Sequence, residues 1–175
     1  MSWARVAQTR STLFSWHFAL RAHMNEPQRK SSRWRRYVPL LAWMAFIFFA
    51  STGNFSASNT GMIIRPVVLW FFPNISDERL MAIHFLIRKL GHFTEYAILG
   101  LLTARAFIDS SRAGLRRHWF FDGLMLIVLY ALSDEFHQSF VASRTASIHD
   151  SLIDISGGLF ALIMFAVWRK RRGRV

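Results

Sequence analysis

Apolar residues in this chain gather in long blocks divided by polar or basic connections, and the blocks have the lengths of helices rather than strands. Residues 37–52 (YVPLLAWMAFIFFAST) carry no charge and directly follow Arg35 and Arg36. Pro39 is placed in the first turn, where a missing N–H is tolerated. The block is short for a bilayer that needs roughly 20 residues, so a spanning helix here is expected to run on through Gly53, Asn54 and Phe55. A second block starts after Ser76, an N-cap residue with Asp77 and Glu78 placed in the first turn to meet the helix dipole. Residues 80–107 cover about 42 Å at 1.5 Å per residue, more than a hydrocarbon core of roughly 30 Å. The part from Arg88 onward is expected to span, with the earlier turns projecting beyond it. Third and fourth blocks occupy 119–138 and about 150–168.

Between the first two spans lies a smaller apolar patch, 62–72, interrupted by Arg65-Pro66 and closed by Pro73. Eleven residues containing arginine and proline do not cross a bilayer, which predicts an interfacial or re-entrant segment in the first outer loop. Residues 1–36 hold eight Lys or Arg and a single acid, Glu26. Their apolar patch 13–20 is too short to span, is interrupted by His17 and lacks a small-residue cleavage site, so it does not read as a signal peptide. A basic tail is the simplest reading, an interfacial helix on an anionic leaflet the alternative. Met24 also offers an alternative start, so residues 1–23 need not belong to the native protein.

Charge sets the orientation. The chain has 22 Lys and Arg against 10 Asp and Glu, a net charge of +12. In a soluble protein that balance would suggest nucleic acid; beside four apolar blocks it reads as cytoplasmic anchoring, and no nucleic acid is expected. The N-terminal tail carries eight basic residues, the 108–118 linker three and the C-terminal tail five, while the other connections carry only Arg65, Arg79 and Arg144. The expectation is therefore an all-α, integral membrane four-helix bundle with both termini cytoplasmic. Its parts are a tail over 1–36, a transmembrane domain over 37–168 and a tail over 169–175. With no cysteine, disulfides and thiolate metal sites are excluded.

The connection at 133–154 does not suit a simple reversal between helices. It carries Asp134, Glu135, His137, Gln138, Arg144, His149, Asp150 and Asp154, several inside the apolar blocks, where polar groups are costly and usually functional. Arg88, His92 and Glu95 share a face at i, i+4, i+7; Asp134, His137 and Gln138 share another; Asp150 and Asp154 stand one turn apart, with Gly157-Gly158 continuing their stripe. Counted from the cytoplasmic ends, Glu95, Asp134 and Asp154 lie about 18, 22 and 21 Å into the membrane, three acids at similar depth on three helices. Against Glu95, Asp134, Glu135, Asp150 and Asp154 stand Arg88, Lys89 and Arg144, 3 − 5 = −2, an acidic pocket in a basic protein.

Several chemistries fit. An ion-pair network that only fixes helix packing accounts for any one pair, though less well for the whole set. A divalent metal could take His92, Glu95, Asp134, His137, Asp150 and Asp154 as ligands, but the spacings match no metal signature and HEXXH is absent. Acid–base catalysis would draw on Asp134, Glu135 and His137, without a nucleophile motif beside them. An amphiphile at the outer leaflet could be gripped through Arg88, Lys89 and Arg144. Proton or ion movement ranks lower, because nothing polar continues the path through the inner halves of the spans.

The segments RKLGHFTEYAILG (88–100), SDEFHQSF (133–140), SRTASIHD (143–150) and DISGG (154–158) resemble the VanZ-like family of membrane proteins over about 37–168. Val141-Ala142-Ser143 replaces the Pro-Gly turn common before the family's arginine. The resemblance implies a multi-pass protein of the bacterial cytoplasmic membrane acting at the cell envelope. The family's name comes from a protein associated with low-level resistance to the glycopeptide teicoplanin, which raises a link to glycopeptide susceptibility without assigning a reaction. The reading favoured is a non-transporting protein, leaning toward binding rather than catalysis with enzyme activity left open, whose outward pocket binds an envelope lipid or glycan through Arg88, Lys89, His92, Glu95, Asp134, Glu135, His137, Gln138, Arg144, Asp150 and Asp154. The alternative is a metal-dependent enzyme acting on a lipid-linked substrate.

Overall fold

A computed structural model describes residues 33–52, 57–142 and 147–173. Residues 1–32 of the basic tail, the extension through Gly53, Asn54 and Phe55, and Arg144 lie outside the described residues. Among the described residues all regular structure is helical: α1 (Arg33–Ala50), α2 (Ala57–Phe71), α3 (Asp77–Ile108), α4 (Ala113–Arg117), α5 (Trp119–Gln138) and α6 (Ile148–Arg172).

Local chemistry explains most boundaries. Ser76 caps α3, its Oγ accepting a long hydrogen bond from the Arg79 N–H (3.5 Å), with Asp77 and Glu78 in the first turn and Arg105 in the last. The 32 residues of α3 extend about 48 Å, so its first turns project past the helices it packs on. α1 starts four residues before the uncharged block. Pro39 is therefore interior rather than in the first turn, and it leaves the Arg35 carbonyl without its helical donor. All but the last residue of the 62–72 patch belongs to a fifteen-residue helix, α2, and the basic 108–118 linker contains a short helix, α4.

Contacts along the chain give the topology. Tyr37 and Ser110 share a hydrogen bond of 2.9 Å, and the Trp43 indole N–H donates to the Glu95 carbonyl (2.9 Å), so α1 runs antiparallel to α3. The Tyr130 hydroxyl donates to the Met44 carbonyl, and the Gln138 amide donates to Ser51 Oγ at the other end, so α5 runs parallel to α1. Lys89 meets Asp150, His92 meets Asp154 and Gly100 meets Gly158, so α6 runs parallel to α3. The 139–147 connection consequently sits at the same end as the end of α1. Arg35, Arg36, Arg105, Arg116, Arg117 and the run 169–172 gather at the opposite end.

Glycine makes the α3–α6 contact close. A Cβ on Gly157 would stand 2.2 Å from the Phe93 carbonyl oxygen, and one on Gly100 would stand 2.7 Å from the Gly158 carbonyl oxygen. Without side chains there, two backbones pack directly on each other.

The bundle is inverted relative to a water-soluble one. On α5, Gly123, Ile127, Ala131, Asp134, Glu135 and Gln138 are buried, while Phe121, Met125, Leu129, Leu132 and Phe136 face outward, with Phe136 69% exposed. α6 repeats the pattern: Asp150, Ser151 and Asp154 are buried, whereas Leu152, Phe160, Ile163 and Met164 are exposed. Among the described helices one, α6, is both long and apolar enough to cross a membrane by length and composition (mean hydropathy 1.9). α5 carries Asp122, Asp134 and Glu135, and α3 carries Arg88, Lys89 and Glu95; these charges lower the two helices' hydropathy, and all six are buried or half-buried.

Candidate functional site

At the end of the bundle near the 139–147 connection, the interior becomes polar. α3 contributes Lys89, His92 and Tyr96, α5 contributes Asp134, Glu135 and Gln138, α6 contributes Asp150, Ser151 and Asp154, and α1 contributes Ser51. Asp154 and Tyr96 are both 0% exposed. The close glycine packing one turn beyond Asp154 presses this part of α6 onto α3, which is why an aspartate on one helix meets a histidine on the other.

Each acid has a different neighbour. Lys89 Nζ donates to Asp150 Oδ1. His92 Nδ1 lies 3.2 Å from Asp154 Oδ1, an ion-pair contact off the line of a straight hydrogen bond. Gln138 Nε2 donates to Asp134 Oδ2 (2.9 Å) and to Ser51 Oγ (3.4 Å). The Ser147 N–H donates to Glu135 Oε2 (2.6 Å), tying the start of α6 to the end of α5. Asp134, Asp150 and Asp154 are close enough for their charges to act on Glu135, and Glu95, Asp134 and Asp154 likewise on Tyr96.

Several atoms in this interior lack a hydrogen bond. Both carboxylate oxygens of Asp154, Oε1 of Glu135, Oγ of Ser151 and the Tyr96 hydroxyl are buried with no hydrogen-bond partner among the described residues. A buried polar atom left so costs about 1–3 kcal/mol, and native interiors rarely leave one unpaired unless water, an ion or a ligand completes it.

Beside this interior a cavity of about 200 Å³ lies between α1, α2 and α3. Arg88, His92 and Glu95 line it from α3, Ser51 from the end of α1 and Thr60 from α2, with Phe46, Ile64 and Ile87 as apolar wall. The face that the i, i+4, i+7 spacing defines is thus the face that lines a cavity. Arg88 is half-buried there and has no carboxylate within ion-pair distance among the described residues.

The remaining expected residues are placed differently. His137 is half-buried and stacks on Phe48 of α1 with ring centroids 4.2 Å apart; it makes no ion pair with an acid among the described residues. His149 is exposed. Among the described residues no group of three or more His, Asp or Glu is arranged to hold a metal ion. The ligands considered for one divide between the cavity wall (His92, Glu95), the buried interior (Asp134, Asp150, Asp154) and the Phe48 stack (His137).

Three polar residues in this region escaped the sequence reading: Tyr96, Ser151 and Ser51. Tyr96 stands one turn after His92 on the same helix face, and that spacing could have marked it. Ser51 and Ser151 carry no such signal, since each is recruited by a contact distant in sequence or by burial alone.

No curated protein and no solved structure matches the chain. A family model described as VanZ/LLP1 matches residues 37–169, the whole stretch that supplies the bundle and its polar interior; the chain belongs to the VanZ/LLP1 family.

Proposed function

We propose that α1, α3, α5 and α6 cross the bacterial cytoplasmic membrane with both termini in the cytoplasm, that α2 lies at the outer interface, and that the polar end of the bundle binds the head group of an envelope lipid or glycan. The inversion of the bundle supports the membrane reading: large apolar side chains outside and carboxylates inside suit hydrocarbon and would be costly in water. Gathering of arginines at the end opposite the 139–147 connection supports the orientation. α2 presents Met62, Ile63, Val67, Trp70 and Phe71 outward, as a helix lying in the headgroup region would.

The observation that carries the binding reading is the set of buried, unpartnered oxygens on Asp154, Glu135, Ser151 and Tyr96. The carboxylate oxygens accept and the two hydroxyls both donate and accept, which suits a guest bearing hydroxyls, such as a sugar or the polar part of a lipid head. The test is native mass spectrometry of the full chain extracted gently from membranes. A polar amphiphile that stays bound to the natural protein and is lost in Asp154→Asn is the expected result. Identical ligand-free spectra for both proteins would overturn the reading.

A further inference from the structure

We propose that the cavity between α1, α2 and α3 is an anion subsite that takes the phosphate of a phosphate-bearing lipid, with Arg88 as its ion-pair partner and His92 and Ser51 as further donors. This deepens the binding reading above and rests on it. The sequence tally of −2 speaks against phosphate at this place, but the structure distributes the charges otherwise. Asp134, Asp150 and Asp154 do not line the cavity; they are turned into the interior, where Gln138, Lys89 and His92 face them.

What the cavity presents is a different set. Arg88 contributes a guanidinium that no carboxylate among the described residues engages, and guanidinium geometry matches phosphate oxygens. His92 turns Nδ1 toward Asp154, and the opposite edge of its ring, left for the cavity, donates to an anion there when both nitrogens are protonated. Ser51 Oγ accepts from Gln138, which leaves its own hydroxyl proton to donate. Glu95 also lines the cavity and is engaged in an interaction of its own, so it enters as part of the wall.

The rest of the lining favours an amphiphile over a free ion. Phe46, Ile64 and Ile87 form the wall beside the polar groups, and of these Phe46 and Ile87 are themselves exposed, so the apolar wall runs out to the surface. A phosphate at Arg88 with its chains along that surface would satisfy both parts.

The experiment compares retention of three probes by the full chain in native mass spectrometry: phosphatidic acid, diacylglycerol with the same chains, and inorganic phosphate. Phosphatidic acid should be retained and diacylglycerol not, with Arg88→Gln binding about 10- to 100-fold more weakly, as expected for loss of one charge-assisted contact. Arg88→Lys should recover part of that loss. Because Arg88 has no ion-pair partner among the described residues, its removal is not expected to unfold the bundle, and Ser51→Ala gives a second, milder variant with a loss in the same direction. Competition by millimolar inorganic phosphate would show that the phosphate group alone suffices; none would place the recognition in the lipid as a whole. Equal retention of phosphatidic acid by the natural protein and Arg88→Gln would overturn the subsite. So would equal retention of phosphatidic acid and diacylglycerol. A neutral glycolipid retained through Asp154 with no dependence on Arg88 would overturn the phosphate subsite while leaving the binding function intact.

Discussion

At the level of Leu99, Ile127 and Leu162, helices α3, α5 and α6 meet on side chains that are fully buried and wholly apolar. About 10 Å further along each helix, at His92, Asp134 and Asp154, the same three helices meet on side chains that are buried and polar. Both levels face outward with Phe, Leu and Met, so the exterior does not distinguish them. The difference lies in what each interior can satisfy by itself. Apart from the buried Thr103 hydroxyl, which also has no partner among the described residues, the apolar level needs only shape, and supplies it with Gly123 against Thr103 and Leu162, and Gly158 against Ile127. The polar level leaves oxygens unpaired among the described residues, and on the proposed reading a guest completes them.

The largest expected effect comes from breaking the contact that holds both levels in register. Gly157→Leu would drive its Cβ into the Phe93 carbonyl, a backbone atom that cannot swing away, and should cost more than about 3 kcal/mol, seen as loss of the cooperative thermal melt in detergent. A melt within a degree of the natural protein would contradict the close approach. Next, Leu162→Ala at the apolar level should lower stability by about 2–5 kcal/mol, because a fully buried side chain leaves a cavity there. At the polar level the sign reverses: Tyr96→Phe removes a buried hydroxyl with no partner and should raise the stability of ligand-free protein by about 1 kcal/mol. If Tyr96→Phe instead destabilised as Leu162→Ala does, the two levels would not differ in the way described. The smallest effect is expected at Gly91, where an added methyl meets nothing within 4 Å; Gly91→Ala should stabilise α3 by about 0.5–1 kcal/mol.

The helices and the polar end were legible in the sequence because both are periodic signals. The limits of α5 agree with the 119–138 block, and the spacing of Arg88, His92 and Glu95 marks the face that lines the cavity. The start of α1 was not legible, since Arg33, Arg35 and Arg36 read as an end signal although arginine is a good helix former. Nor could the sequence show how the acids divide. Spacing puts Asp150 and Asp154 on one face, but only the glycine-permitted approach of α6 to α3 decides that one meets Lys89 and the other His92. The −2 tally treated as one pocket what packing separates into a buried interior and a cavity whose arginine no carboxylate among the described residues engages.

The inverted bundle underlies every functional statement, and the absence of cysteine makes it directly measurable. A nitroxide placed at Phe136→Cys in protein reconstituted into lipid vesicles reports whether that outward face touches hydrocarbon or water. High accessibility to oxygen with low accessibility to a water-soluble nickel chelate is the expected result, as for a side chain in lipid. The reverse, free access of the nickel chelate at Phe136, would place the exposed apolar face in water and contradict the membrane-spanning bundle.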